Sequence, residues 1–144
     1  MGADIHVIIE YKRYGDWQPV TQGELNFNRS YQLFGLLAGV RMPNKHSLKP
    51  KGLPDDLSYN AMKIFYYHGE NMDKWLESGD SIRINGYWIT HPDLHSFSWV
   101  TLEELKTVQS HMTQASLDVE LAIAIMEVYA ARQIDVRMVF GFDN

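Results

Sequence analysis

Residues 4–13 read Asp-Ile-His-Val-Ile-Ile-Glu-Tyr-Lys-Arg, and the alternation in this stretch decides the fold. Ile5, Val7, Ile9 and Tyr11 occupy every second position, between Asp4, His6, Ile8, Glu10 and Lys12. A period of two belongs to a β-strand, whose successive side chains point to opposite faces. One face of this strand is apolar, and the other carries carboxylates and an imidazole. The far end of the chain offers a partner: Val136 to Phe142 reads as a strand with Met138, Phe140 and Phe142 on one side. Strand-like segments at both ends with helical patterns between them predict an α+β domain. In it the first and last strands pair in one small sheet, and helices pack on one face. The apolar side of the first strand then meets the helices, and Asp4, His6 and Glu10 point away from them.

Outward from residues 4–13, Gly15-Asp16 marks a turn, and Trp17 to Val20 returns as a second strand. Asn28 or Ser30 caps a helix from about Tyr31 to Val40, with Leu33, Leu36, Leu37 and Val40 as its apolar stripe. Gly35 and Gly39 lie inside that pattern, where each costs about 1 kcal/mol relative to Ala. They point to close approach of another backbone. Residues 41–57 form a long loop rich in Pro, Lys and Gly. Ser58 starts a second helix with Tyr59, Met62 and Phe65 on one face, and a short helical piece spans Met72 to Ser78.

Ile82-Arg-Ile-Asn85-Gly86-Tyr-Trp-Ile89 is a hairpin pattern, because Asn and Gly accept the positive φ of a type I′ turn. Its register sets Ile84 against Tyr87, Ile82 against Ile89, and Arg83 against Trp88. After a polar loop, His91 to His95, a strand covers Ser96 to Val100. Thr101-Leu-Glu-Glu104 is a capping box for a helix whose buried stripe is Leu102, Leu105, Val108 and Met112. A last helix runs from about Ala115 to Arg132. Leu117, Leu121, Ile125 and Val128 are expected to be its core face.

At 144 residues, 45% of them hydrophobic, the chain makes one domain with one real core. It has no cysteine, so disulfides, thiolate metal sites and cysteine nucleophiles are excluded. The N-terminal stretch lacks the basic start of a signal peptide, and no apolar run approaches the roughly 20 residues of a membrane span. A net charge of −5 argues against generic nucleic-acid binding, which rests on Lys and Arg. The local cluster Arg41, Lys45, Lys49 and Lys51 reads first as a solvated loop.

Two copies of Asp-x-His, Asp4-Ile-His6 and Asp93-Leu-His95, carry the most chemistry. On a strand, residues two apart share a face about 6–7 Å apart. Carboxylate with imidazole suits a divalent metal such as Zn or Mn. Brought together, Asp4, His6, Asp93 and His95 would supply four ligands, with His91 and Asp143 as further donors. The plainer reading is local pairing and an Asx-turn. In His95-Ser-Phe-Ser-Trp99, alternation sets Ser96 and Ser98 on one face and His95, Phe97 and Trp99 on the other. No glycine elbow surrounds either serine, so a serine nucleophile is not expected. Hydroxyls and an aromatic beside a histidine fit a ligand pocket. Lys51-Gly-Leu-Pro-Asp55-Asp56-Leu-Ser58 is turn and helix-start chemistry. Its functional version has Lys51 and Arg41 reaching an anion, with Asp55 orienting a polar group. The glycine spacing matches neither a P-loop nor a dinucleotide fingerprint.

Several of these stretches together resemble a family of small uncharacterised tailed-bacteriophage proteins. They are Asp4-Ile-His-Val-Ile-Ile-Glu-Tyr-Lys12, Arg29-x-Tyr31-x-Leu-Phe34-Gly-Leu-Leu-Ala-Gly-Val-Arg41 and Lys51-Gly-Leu-Pro-Asp-Asp-Leu-Ser58. Asp93-x-His-Ser-x-Ser-Trp99-x-Thr-Leu-x-Glu-Leu105 and Val136-Arg-x-Val-Phe-x-Phe-Asp-Asn144 complete the set. The resemblance covers both ends and most of the middle, with about 66–90 as a local elaboration of the single domain. It implies a setting, the cytoplasm of an infected bacterium and a non-virion accessory role in host takeover or counter-defence.

Two function classes follow. In the first, the protein binds a small anionic or nucleotide-like ligand, or a host protein. Arg29, Arg41 and Lys51 meet anionic groups, Tyr31 or Trp99 stacks on a base, and Asp4, His6, Asp93, His95, Ser96 and Ser98 fix the polar edge. In the second, a metal-dependent phosphodiesterase or nuclease holds its ion on the Asp-x-His pairs and takes nucleic acid only as substrate.

Overall fold

The computed structural model describes residues 2–65, 83–84, 87–88 and 93–143. Strand β1, Asp4–Arg13, is the longest element of the sheet. The backbone turns at Tyr14 and Gly15, both at positive φ (53° and 84°), the twist that a two-residue hairpin demands. Strand β2, Asp16–Pro19, returns antiparallel with Arg13 opposite Asp16. Strand β6, Val136–Asp143, lies on the other side of β1, pairing Asp4 with Asp143 and Tyr11 with Val136. Strand β5, His95–Val100, follows, giving the antiparallel order β2-β1-β6-β5. The expected pairing of the first and last strands is therefore present. Strands β3 (Arg83–Ile84) and β4 (Tyr87–Trp88) form a separate hairpin with Arg83 opposite Trp88 and Ile84 opposite Tyr87, the expected register. The Asn85-Gly86 turn, the Ile82–Ile89 pair, the 72–78 helix and His91 lie outside the described residues.

Helix α1, Tyr31–Ala38, starts at Ser30, whose hydroxyl accepts from the Leu33 N–H (3.3 Å). It stops at Gly39, which takes the left-handed φ of 71° that L-residues resist. Gly35 does what the spacing predicted: a Cβ there would lie 2.0 Å from the Met42 carbonyl oxygen. Helix α3, Leu102–Ser110, has the full Thr101–Glu104 capping box and buries Leu102, Leu105 and Val108. Helix α4, Leu117–Ala130, is capped by Ser116. These three helices cover the face of the sheet that bears Ile5, Val7, Ile9, Met138, Phe140 and Phe142. Full burial of such side chains stabilises by about 1.5–3 kcal/mol each.

The buried face of α4 differs from the expected one. Val119, Ala122, Ile123 and Met126 face the core, while Leu117, Leu121 and Val128 are more than half exposed (68, 53 and 54%). The helix is apolar nearly all round, so periodicity alone does not choose a side.

The opposite face of the sheet carries a second, smaller core. Helix α2, Tyr59–Phe65, begins at Ser58 and buries Ala61 and Phe65. With Leu53, Leu94 and Phe97 they cover Ile8 and Val139. Tyr59, expected on the buried face of α2, is 68% exposed. Along this side the β1–β6 rows are Asp4/Asp143, His6/Gly141, Ile8/Val139 and Glu10/Arg137. Polar residues thus stand at both ends with an apolar centre between them. No helix among the described residues is long and apolar enough to cross a membrane.

Candidate functional site

His6 and its neighbours hold the first end of that face. After Pro19 the chain keeps beside β1, with Val20 N–H donating to the Ile9 carbonyl (2.9 Å) and Leu25 N–H to the Val7 carbonyl (2.8 Å). Since Glu10 faces Pro19, an unbroken ladder would set Gln22 opposite Val7; Leu25 stands there instead. This extra length carries Glu24 to His6. Nδ1 of His6 meets Glu24 Oε1, and Nε2 meets Asp143 Oδ2 at 2.6 Å. With a carboxylate on each ring nitrogen, both nitrogens donate and the ring is an imidazolium. The Glu24 hydrogen bond, against the opposing effect of burial and with help from Asp143, raises the His6 pKa to about 9. A cleft of about 470 Å³ opens here, lined by Asp4, His6, Glu24, Asn26 and Phe27 among others.

Arg29 closes the edge of the same cluster. Its Nε and Nη2 both reach Asp4 Oδ1 at 3.0 Å, and that carboxylate raises the guanidinium pKa further. Gly2 makes room, since a Cβ there would fall 1.9 Å from Arg29 Nη1. Tyr31 stands next, its hydroxyl accepting from the Ala3 N–H (3.3 Å). The guanidinium of Arg41 lies 5.9 Å from the Tyr31 ring centre, within cation–π range. Arg41 sits at φ 67°, a left-handed conformation that an unbranched L-residue adopts only at a cost.

The expected residues therefore divide. Asp4, His6, Arg29, Tyr31, Arg41 and Asp143 gather at one end of the sheet. Lys51, Ser98 and Trp99 form a second group at β5. The Lys51 ammonium pairs with Glu104 (2.6 Å) and lies 3.8 Å from the Trp99 ring centre. The Lys51 backbone N–H donates to Ser98 Oγ (2.9 Å), and the Gly52 N–H to the Phe97 carbonyl (2.9 Å). Burial would raise the Glu104 pKa, but Lys51 and the Thr101 N–H outweigh it and hold the carboxyl below its ordinary range. This second group fastens the 48–58 loop to the sheet.

Asp55 is exposed; its neighbour Asp56 makes the bonds. Asp56 accepts from Arg137 Nη1 (2.9 Å) and Trp17 Nε1 (3.1 Å). Buried Arg137 also donates to Glu10 (2.8 Å), whose second oxygen takes the Ser58 N–H at 2.6 Å. The Arg137 guanidinium lies 3.9 Å from the Trp17 ring centre. This is the sealed end of the same face.

Asp93 and His95 do not join His6. Strand β6 separates β5 from β1, so the gap is about two strand spacings, roughly 10 Å. The faces also differ. His95 pairs with Phe142 and Ser98 with Phe140, and both partners belong to the three-helix core. Three residues on β5 thus span two on β6, a β-bulge, with Ser96 at φ 54°. The bulge reverses the alternation expected for 95–99: His95 shares the side of Ser98, while Phe97 and Trp99 pack on the other. His95 Nδ1 meets the hydroxyl of Ser96 at 2.9 Å. A metal ligand must be a neutral imidazole with a free lone pair, and both His6 nitrogens are engaged by carboxylates. Among the described residues no group of three His, Asp or Glu converges to hold a metal.

Sequence reasoning missed Glu24, Asp56, Glu10 and Arg137 as partners. Glu10 and Arg137 had a usable signal, because pairing the terminal strands sets opposite charges across from each other. Glu24 had none, since its place depends on an irregular return of the chain. No protein-family model, curated protein or solved structure matches this chain.

Proposed function

We propose that this chain is a non-catalytic binding protein, of the accessory kind a tailed phage makes in its host's cytoplasm. Its ligand is small, anionic and nucleotide-like. The observation that carries the reading is the strained Arg41, whose guanidinium lies 5.9 Å from the Tyr31 ring centre, with Arg29 two residues from Tyr31 in the chain. An aromatic ring with a guanidinium against it is a platform for a base with phosphate beside it. The side chains that acid–base chemistry would call on are already paired: His6 with two carboxylates and Lys51 with Glu104.

Calorimetry of the purified chain with linear and cyclic nucleotides tests this. One-to-one binding without turnover is expected. Arg41→Ala and Arg29→Ala should each weaken it about tenfold, the scale of one charge-assisted contact. Absence of heat with every nucleotide, or steady hydrolysis of any, overturns the reading. The metal-dependent phosphodiesterase would need His6 to exchange its carboxylate partners for an ion and His95 to pass to the other side of the sheet. It predicts a thermal shift with Zn or Mn that His6→Ala and His95→Ala both abolish.

A further inference from the structure

The outer side of α4 is a surface that, among the described residues, the fold does not bury. Leu117, Leu121, Ala124 and Val128 follow one another at steps of four, three and four residues, the spacing of a helix–helix seam. They lie opposite Val119 and Met126, which are in the core. All four are exposed, the three large ones by half or more. The seam runs over three turns, about 16 Å. Contiguous exposed apolar surface is where protein–protein contacts form.

We infer that this seam is a docking surface for a basic amphipathic helix of a partner protein. Charge decides the occupant. Helix α4 holds Asp118, Glu120 and Glu127 and contains neither lysine nor arginine, and these carboxylates flank the seam along its length. Lys106 of α3 reaches Glu127 at 3.2 Å. The guanidinium of Arg132 donates to the Val128 carbonyl (3.1 Å) beyond the last turn. A second copy laid antiparallel would bring Glu120 against Glu127 from two chains that each carry −5. A partner helix with leucines inward and Lys or Arg at the rim meets both features at once. At the start of the seam a cleft of about 270 Å³, lined in part by Asn28, Met112, Leu117 and Asp118, is open to an anchoring side chain. Arg29, which also borders it, is turned to Asp4.

The inference is independent of the nucleotide reading and uses none of its residues in its test. The probe is a labelled synthetic helix of about four turns, with Leu at seam positions and Lys elsewhere, followed by fluorescence anisotropy. The wild-type chain should bind it. The double variant Leu117→Ser/Leu121→Ser, which leaves charge untouched, should bind at least tenfold more weakly, the effect of losing central apolar anchors. Glu120→Gln should weaken binding a few-fold, and a Leu/Glu peptide should not bind. Equal binding by the double variant, or equal binding of the Leu/Glu peptide, overturns the inference. So does light scattering that finds a dimer dispersed by the same substitutions. Should the double variant lose its native circular dichroism, Val128→Ser serves the same comparison.

Discussion

The two polar clusters on the α2 side of the sheet stand at opposite ends of one ladder and differ in their access to water. At the far end Glu10 and Arg137 are almost wholly buried, and every polar atom of the pair finds a partner in Ser58, Asp56 or the other. At the near end His6, Glu24 and Asp143 keep 28, 40 and 32% of their side-chain surface exposed. The first cluster ties β1, β6 and the start of α2 into one unit. The second holds a charge that solvent protons reach. Burial makes ion pairing a structural commitment, whereas partial exposure makes it a titratable one.

The largest effect should come from breaking the sealed pair. Arg137→Met leaves Glu10 without its counter-charge, and a loss of about 3–5 kcal/mol in urea unfolding is expected. The double change Glu10→Leu/Arg137→Met should recover much of it, since an apolar pair needs no compensation. A double variant as unstable as the single one would show that the network does more than neutralise itself.

His6→Ala should cost less, about 1–2 kcal/mol after solvent screening of the imidazolium pairs. Its signature is in pH. The folded pKa of His6 is about 9 against 6.5 unfolded, so the folded chain holds the proton more tightly. The stabilisation is complete below about 6.5 and disappears as pH rises through 9. Thermal melts of the wild type should fall across that window, and those of His6→Ala should not.

Asp56 supplies the smallest and opposite change. Burial would raise its pKa, but the Arg137 hydrogen bonds and charge hold it below the ordinary range. Its contribution is present above the unfolded carboxylate pKa and is lost as pH falls through the depressed one. The side chain is 63% exposed, so Asp56→Asn should cost only a few tenths of a kcal/mol. That substitution should flatten the acid limb of the melting curve and leave the alkaline limb unchanged.

Much of the frame was legible because it is local. The period of two fixed β1 and β6, and Thr101-x-x-Glu104 announced α3 by the chemistry of its first turn. Gly35 signalled a close approach before Met42 was known to make it. The face of α4 was not legible, since a helix with leucine, isoleucine, valine and alanine on every side offers several stripes and only its neighbours select one. The gathering of Asp4, His6 and Asp143 followed from strand pairing. The separation of His95 did not, because a single extra residue at a bulge turns a strand over without leaving a mark in composition. Glu24 and Asp56 depend on loop paths, which carry no period at all.

The hold of Gly52 on the Phe97 carbonyl reaches beyond the site it borders. Strand β5 is an outer strand, and an outer strand with bare amide and carbonyl groups invites pairing with another molecule. Here the chain's own loop takes that place, while the other outer strand, β2, is four residues long and ends at a proline. Both margins of the four-stranded sheet are thereby blunted against fibril-like stacking.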